Sequence, residues 1–201
     1  YNGGFVGQQI GTQMINCHVQ NSTFTVQAAS YGGGFAGLAR DAEIKGMLQD
    51  GLGIDLVSIG QPESLLLNCT VEGWTPDASK QDAVLGGSYL GGFAGALANS
   101  YTVNCGIAMA DPASLTVDGT GSYIGGWAGT GTIGWATNLG KDEQNDTTLL
   151  GGVTDLLKSL LENGDDTSAL LSLAGVAPSA IMGCQINGSG VTVHASGDYV
   201  G

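Results

Sequence analysis

The stretch Tyr31-Gly-Gly-Gly-Phe-Ala-Gly37 decides the fold, because it recurs along the chain with little change. Its companions are Tyr1-Asn-Gly-Gly-Phe-Val-Gly7, Tyr89-Leu-Gly-Gly-Phe-Ala-Gly95 and Tyr123-Ile-Gly-Gly-Trp-Ala-Gly129, and Tyr199-Val-Gly201 opens a fifth copy. A unit that returns every few tens of residues builds a stacked array in which each unit touches its neighbours. The predicted fold is therefore an all-β repeat, a parallel β-helix or β-solenoid with three short strands per coil and two small helical insertions. Residues 1–201 form one array with units 1–30, 31–88, 89–122 and 123–198. The fifth phrase, beginning at 199, gives the expectation of an array that continues.

Each phrase leads to a strand with Cys at a fixed place. The four versions are Gln13-Met-Ile-Asn-Cys-His-Val19, Leu65-Leu-Leu-Asn-Cys-Thr-Val71, Tyr101-Thr-Val-Asn-Cys-Gly-Ile107 and Gly183-Cys-Gln-Ile186. A third strand closes each unit: Ser22–Val26, Ala83–Leu85, Ser114–Val117 and Val191–Val193. Within the phrase, paired Gly is read as the tight turn, Phe or Trp as core filler, and Ala or Val as the residue that keeps the next layer close.

The interval from Tyr to Cys varies, and its variation locates the insertions. Tyr1 to Cys17 and Tyr89 to Cys105 are both 16 residues, whereas Tyr31 to Cys69 is 38 and Tyr123 to Cys184 is 61. Insertions of about 38–63 and 141–180 account for the difference. In the first, Ile44, Met47 and Leu48 follow Asp41 as N-cap and precede Gly51 as stop, which predicts an amphipathic helix. In the second, Leu149, Leu150, Val153, Leu157, Leu160 and Leu161 form a helical stripe ended by Asn163-Gly164, and Leu170, Leu171 and Leu173 mark another short helix. Both stripes are expected to pack on the flank of the coils, with a partner-binding groove as the alternative.

Composition narrows the function classes. The chain has 36 Gly and 42% hydrophobic residues without a Gly-X-Y period, which fits neither collagen nor a disordered linker. Its formal charge of −13, from 18 acidic and 5 basic residues, argues against binding nucleic acid or an anionic membrane surface. No run of about 20 apolar residues is present to insert in a membrane. The unit Tyr1–Ser30 contains no Asp, Glu, Lys or Arg. In a stack with strands about 4.8 Å apart, a charge on one coil would face its equivalent on the next.

A Gly-Gly-apolar-small-Gly phrase followed by an Asn-Cys strand resembles the GLUG-type repeats of large bacterial surface proteins, including adhesins and the non-catalytic N-terminal regions of some IgA-cleaving metallopeptidases. The usual Leu after the paired Gly is replaced here by Phe5, Phe35, Phe93 or Trp127, and the two insertions are additional to the minimal repeat. The resemblance implies a β-solenoid in a secreted or cell-surface protein, extracellular, serving as a stalk, fibre or adhesive surface. It implies no catalysis, and the chain has no HExxH motif.

The residues able to carry chemistry are few. Cys17, Cys69, Cys105 and Cys184 share one inward position, read either as free buried thiols or as disulfides between adjacent coils. A linear column offers no tetrahedral metal site, and His18 and His194 lack zinc-like spacing to a Cys pair. Asp50-Gly-Leu-Gly-Ile-Asp55 resembles one calcium nonapeptide, but such sites need tandem copies, so a helix stop and loop is the reading. A carbohydrate-active enzyme would cluster carboxylates with basic residues on one face. The basic residues Arg40, Lys45, Lys80, Lys141 and Lys158 instead fall in insertions and a loop. No catalytic, cofactor or metal site is expected, and no Lys follows the glycines to cradle a phosphate. Asn21, Asn68, Asn145 and Asn187 match a glycosylation pattern short enough to arise by chance.

The expected partners are neighbouring repeats or copies of the chain end to end, with a host or matrix glycan or protein as a further ligand. The rival function is a carbohydrate- or ligand-binding module with Trp74, Trp127, Trp135 and Tyr101 as stacking platforms. Aromatic side chains exposed along one face would favour it, and buried ones would make them core.

Overall fold

A computed structural model of the chain describes residues 1–40, 64–98, 100–132 and 180–201. Among the described residues every regular element is a β-strand. After β1 (Asn2–Gly3), a first coil runs through β2 (Val6–Ile10), β3 (Gln13–Ile15), β4 (His18–Gln20) and β5 (Val26–Gly33). The second coil contains β6 (Ala36–Arg40), β7 (Ser64–Leu67), β8 (Thr70–Trp74) and β9 (Val84–Gly91). The third contains β10 (Ala94–Ala98), β11 (Ser100–Val103), β12 (Gly106–Met109) and β13 (Leu115–Gly119). Beyond β14 (Ile124–Gly125), the fourth contains β15 (Ala128–Thr132), β16 (Ala180–Met182), β17 (Gln185–Asn187) and β18 (Val191–Ala195).

Equivalent strands of successive coils pair in parallel, giving sheets β2-β6-β10-β15, β3-β7-β11-β16 and β4-β8-β12-β17. The remaining sheet runs β1-β5-β9-β13-β18, with β14 also on β9. Register follows the repeat: Val26, Val84, Val117 and Val193 form one column, and Val19, Val71, Ile107 and Ile186 another. This is the stacked parallel pattern of a β-solenoid.

The coil has four sides, not the three read from the sequence. Asn16, Asn68 and Asn104 hold φ of 55°, 52° and 52°, and Gly183 holds 60°. Asn and Gly tolerate this left-handed conformation, and one such residue turns the chain, so each Asn-Cys strand is two strands meeting at a corner. On the next side, β9 carries Val84 straight into the phrase at Tyr89-Leu-Gly91, so the third strand and the phrase are one bent strand. Trp74 ends β8 and is fully buried.

The two helical insertions require correction at their edges. Leu38, Ala39 and Arg40 belong to β6, and Ala180 opens β16, because their backbone groups pair with adjacent coils. Ile44, Met47, Leu48 and the stripe from Leu149 to Leu173 lie outside the described residues.

The core is the narrow interior of the coils. Phe35, Phe93, Leu66, Val71, Leu115 and Trp74 are all at 0% exposure. Every residue of β7 and β11 is buried, whereas their partner β3 alternates exposed and half-buried.

Close approach explains the paired Gly. A Cβ on Gly91 would stand 2.1 Å from the Ala94 carbonyl oxygen and 2.6 Å from Ala128 Cα, both backbone atoms. The turning residue of the phrase is instead its Tyr, with φ of 58° at Tyr31, 57° at Tyr89, 64° at Tyr123 and 61° at Tyr199.

Candidate functional site

The repeat places identical side chains at the coil spacing, and three columns result. On the outer corner, Tyr1, Tyr31, Tyr89, Tyr123 and Tyr199 stack with successive ring centroids 4.9, 4.6, 4.8 and 4.6 Å apart. Inside the coils, Phe5, Phe35, Phe93 and Trp127 stack at 4.9, 5.1 and 4.6 Å, with rings within 5° of parallel. These separations match the distance of about 4.8 Å between neighbouring strands, so backbone pairing imposes face-to-face geometry on rings in register. Phe24 and Trp74 add a shorter stack at 4.7 Å, and Trp74 Nε1 donates to the Phe24 carbonyl at 2.9 Å.

The Cys column lies two strands further along each coil, at the corners after β3, β7, β11 and β16. All four thiols are free. Each Sγ faces the carbonyl two residues earlier, and three also face a carbonyl of the preceding coil. Those cross-coil contacts are Cys69 to Met14 at 3.4 Å, Cys105 to Leu66 at 3.4 Å and Cys184 to Thr102 at 3.5 Å. Burial, followed by hydrogen bonding to Cys184 and Cys69, pushes the Cys105 thiol well above its ordinary value. Its S–H in turn holds Cys69 and Cys184 below theirs. Cys17, at the stack's first face, is raised chiefly by burial.

Among the described residues, the titratable groups stand on separate strands and turns. His18 is on β4 of the first coil, with Nδ1 2.7 Å from Thr70 Oγ1, which itself donates to Glu72 at 2.9 Å. His194 is on β18 of the last coil, in register with Asp118. Arg40 ends β6, and Lys80 sits in the turn after Asp77. Among the described residues no group of three or more His, Cys, Asp or Glu is placed to hold a metal ion, and no helix is long and apolar enough to cross a membrane.

Two of the aromatic residues expected as stacking platforms are buried, and Trp127 is half-buried with one ring face covered. Trp74 is at 0% and Tyr101 at 3% exposure, and Trp127 lies against Phe93 with rings 3° from parallel. Trp135 is outside the described residues.

The two end coils carry the exposed apolar side chains. On the first, Tyr1, Phe5, Ile10 and Ile15 are 56%, 47%, 40% and 38% exposed. On the last, Ile181, Val191, Tyr199 and Val200 are 48%, 48%, 70% and 50% exposed. Their equivalents Phe35, Phe93 and Leu66 in the middle coils are at 0%, so position in the stack causes the exposure. The signal was available in the identity of the phrases, because a core column must have two ends.

Searches against protein-family models, curated proteins and solved structures find no match to the chain.

Proposed function

We propose that the chain is a structural and adhesive repeat segment of a secreted or cell-surface protein, in which coils stack into a stalk or an end-to-end fibre. The observation that carries this reading is the pair of end faces, each an in-register set of strands whose outer edges have no partner among the described residues, with half-exposed aliphatic and aromatic side chains. Unpaired edges of this kind recruit further strands. The first coil lacks charged side chains, and the described strands of the fourth, 124–132 and 180–195, contain no Asp, Glu, Lys or Arg. On the described strands a further coil therefore meets no like charge at either face, despite the net charge of −13.

Electron microscopy of the purified chain across a concentration series tests the proposal. Rods one coil wide that lengthen with concentration, and that vanish on Phe5→Asp, are expected. Particles of constant length at every concentration would remove the fibre reading. The carbohydrate-binding alternative rests on few platforms, since Trp74 and Tyr101 are buried. Binding on a glycan array that is lost on Trp127→Ala would restore it.

A further inference from the structure

We infer that the tyrosine column is a one-electron relay: a radical oxidant that takes a hydrogen atom from one phenol leaves an oxidising equivalent that passes from ring to ring along the corner. The inference goes beyond the stalk or fibre reading and stands without it.

The backbone at this corner sets the column apart. Its residues are left-handed, with φ of 58° at Tyr31, 57° at Tyr89 and 64° at Tyr123. That conformation is costly for a bulky side chain and free for Gly. The corner before the Cys column meets the same demand with Asn16, Asn68, Asn104 and Gly183. The phrase instead has Tyr in every copy, Tyr1 and Tyr199 included. A strained residue kept where an unstrained one would serve points to a use for its side chain.

That use is not stacking alone. The interior column stacks at the same spacing with Phe5, Phe35, Phe93 and Trp127, none of which has a hydroxyl. What Tyr adds to a stacked ring is the phenol, which yields one electron and one proton to a radical oxidant.

The ring contacts form a continuous path. Tyr31 and Tyr89 are 4.6 Å apart with planes 6° from parallel, and Tyr89 and Tyr123 are 4.8 Å apart at 5°. Tyr1 and Tyr199 extend the path at 4.9 and 4.6 Å. The rungs are chemically identical, so no step is uphill by the identity of its acceptor. Tyr31, Tyr89 and Tyr123 are half-buried with a ring on each face, so they meet solvent by their edges. Burial, then the neighbouring Tyr89 and Tyr1, push the Tyr31 phenol above its ordinary value, so the resting rung is the neutral phenol.

The electrons and protons balance. A peroxyl radical takes one hydrogen atom from a rung, becomes a hydroperoxide and leaves a phenoxyl radical. The adjacent phenol gives its electron to that ring and its proton to water, while water returns a proton to the first oxygen. A hydrogen-atom donor such as a small thiol ends the sequence and becomes a thiyl radical.

Transient absorption of the full chain carrying Tyr123→3-aminotyrosine tests this, because the aminophenol is oxidised more easily than a phenol and holds the equivalent. Peroxyl radicals generated by a flash, fewer than one per chain, supply the oxidant. The phenoxyl signal is expected to decay as the aminotyrosyl signal grows, with one first-order rate constant that dilution does not change. Adding Tyr89→Phe and Tyr199→Phe leaves a ring on each face of the trap and no phenol, so the delayed growth is expected to be lost. A hydroxyl that serves only to wet the corner gives no delayed growth in the first chain, and that result overturns the relay without need of the Phe variants. Growth that slows on dilution, or that persists in the chain with both Phe substitutions, also overturns it. None of these results bears on whether coils add end to end.

Discussion

Thr102 stands directly above Leu66 in the sheet formed by β7 and β11, fully buried, and its hydroxyl has no hydrogen-bond partner among the described residues. The same column holds Met14 and Ile181 on the other coils. A polar atom has been placed where the repeat calls for an aliphatic one. Thr102→Val keeps the shape and removes the unsatisfied hydroxyl, so it is expected to raise stability by about 1 kcal/mol. The urea midpoint should rise with an unchanged slope.

Tyr89 combines strain and its compensation. Its φ of 57° is costly for a bulky side chain, at roughly 1–2 kcal/mol. Its ring stacks on Tyr31 at 4.6 Å and on Tyr123 at 4.8 Å, each contact contributing about 0.5–1.5 kcal/mol. Tyr89→Ala loses both stacks and retains the strain, while Tyr89→Gly loses the stacks and sheds the strain. Gly is therefore expected to be the milder substitution by about 1 kcal/mol, the reverse of the usual order inside a strand. Thermal midpoints of the two variants decide it.

Two glycines of neighbouring columns should respond in opposite ways. Gly91→Ala drives a Cβ into the backbone of the adjacent coil, 2.6 Å from Ala128 Cα, and is expected to cost about 3 kcal/mol. Gly106→Ala meets nothing closer than the Gln185 carbonyl at 3.6 Å, an ordinary contact, and should change stability by less than about 0.5 kcal/mol. Chemical denaturation of both variants provides the comparison.

The Cys105 thiol makes a pH-dependent contribution whose sign follows from its burial. Its folded value lies above the ordinary 9.0, so below pH 9.0 both folded and unfolded chains keep the proton. As pH rises past 9.0 the unfolded chain loses it first, binds fewer protons than the native stack, and stability falls. Cys105→Ala should flatten this decline between about pH 9 and 11, measured as denaturation midpoint against pH. In the native state, alkylation followed by mass spectrometry should label the half-buried Cys17 and Cys184 before the buried Cys69 and Cys105.

The sequence by itself determined the repeat, the stacking direction and the columns. A phrase recurring with Tyr, Gly-Gly and Phe or Trp at fixed places can satisfy its backbone only by pairing with its own copies, and identical residues then fall on one another. Cys69 and Cys105 were placed inside for the same reason, and they are. The tertiary structure decided what local pattern leaves open. Asn104 followed by Cys105 reads as continuous strand in one dimension, and only the left-handed φ at Asn104 reveals the fourth side of the coil. Gly91 reads as a turn residue, and only the neighbouring coil at Ala128 shows that its missing side chain is about approach. The exposure of Phe5 against the burial of Phe35 and Phe93 was likewise beyond local reading. These residues are chemically alike in the sequence, and what distinguishes them is whether the stack places a coil on one side of the ring or on both.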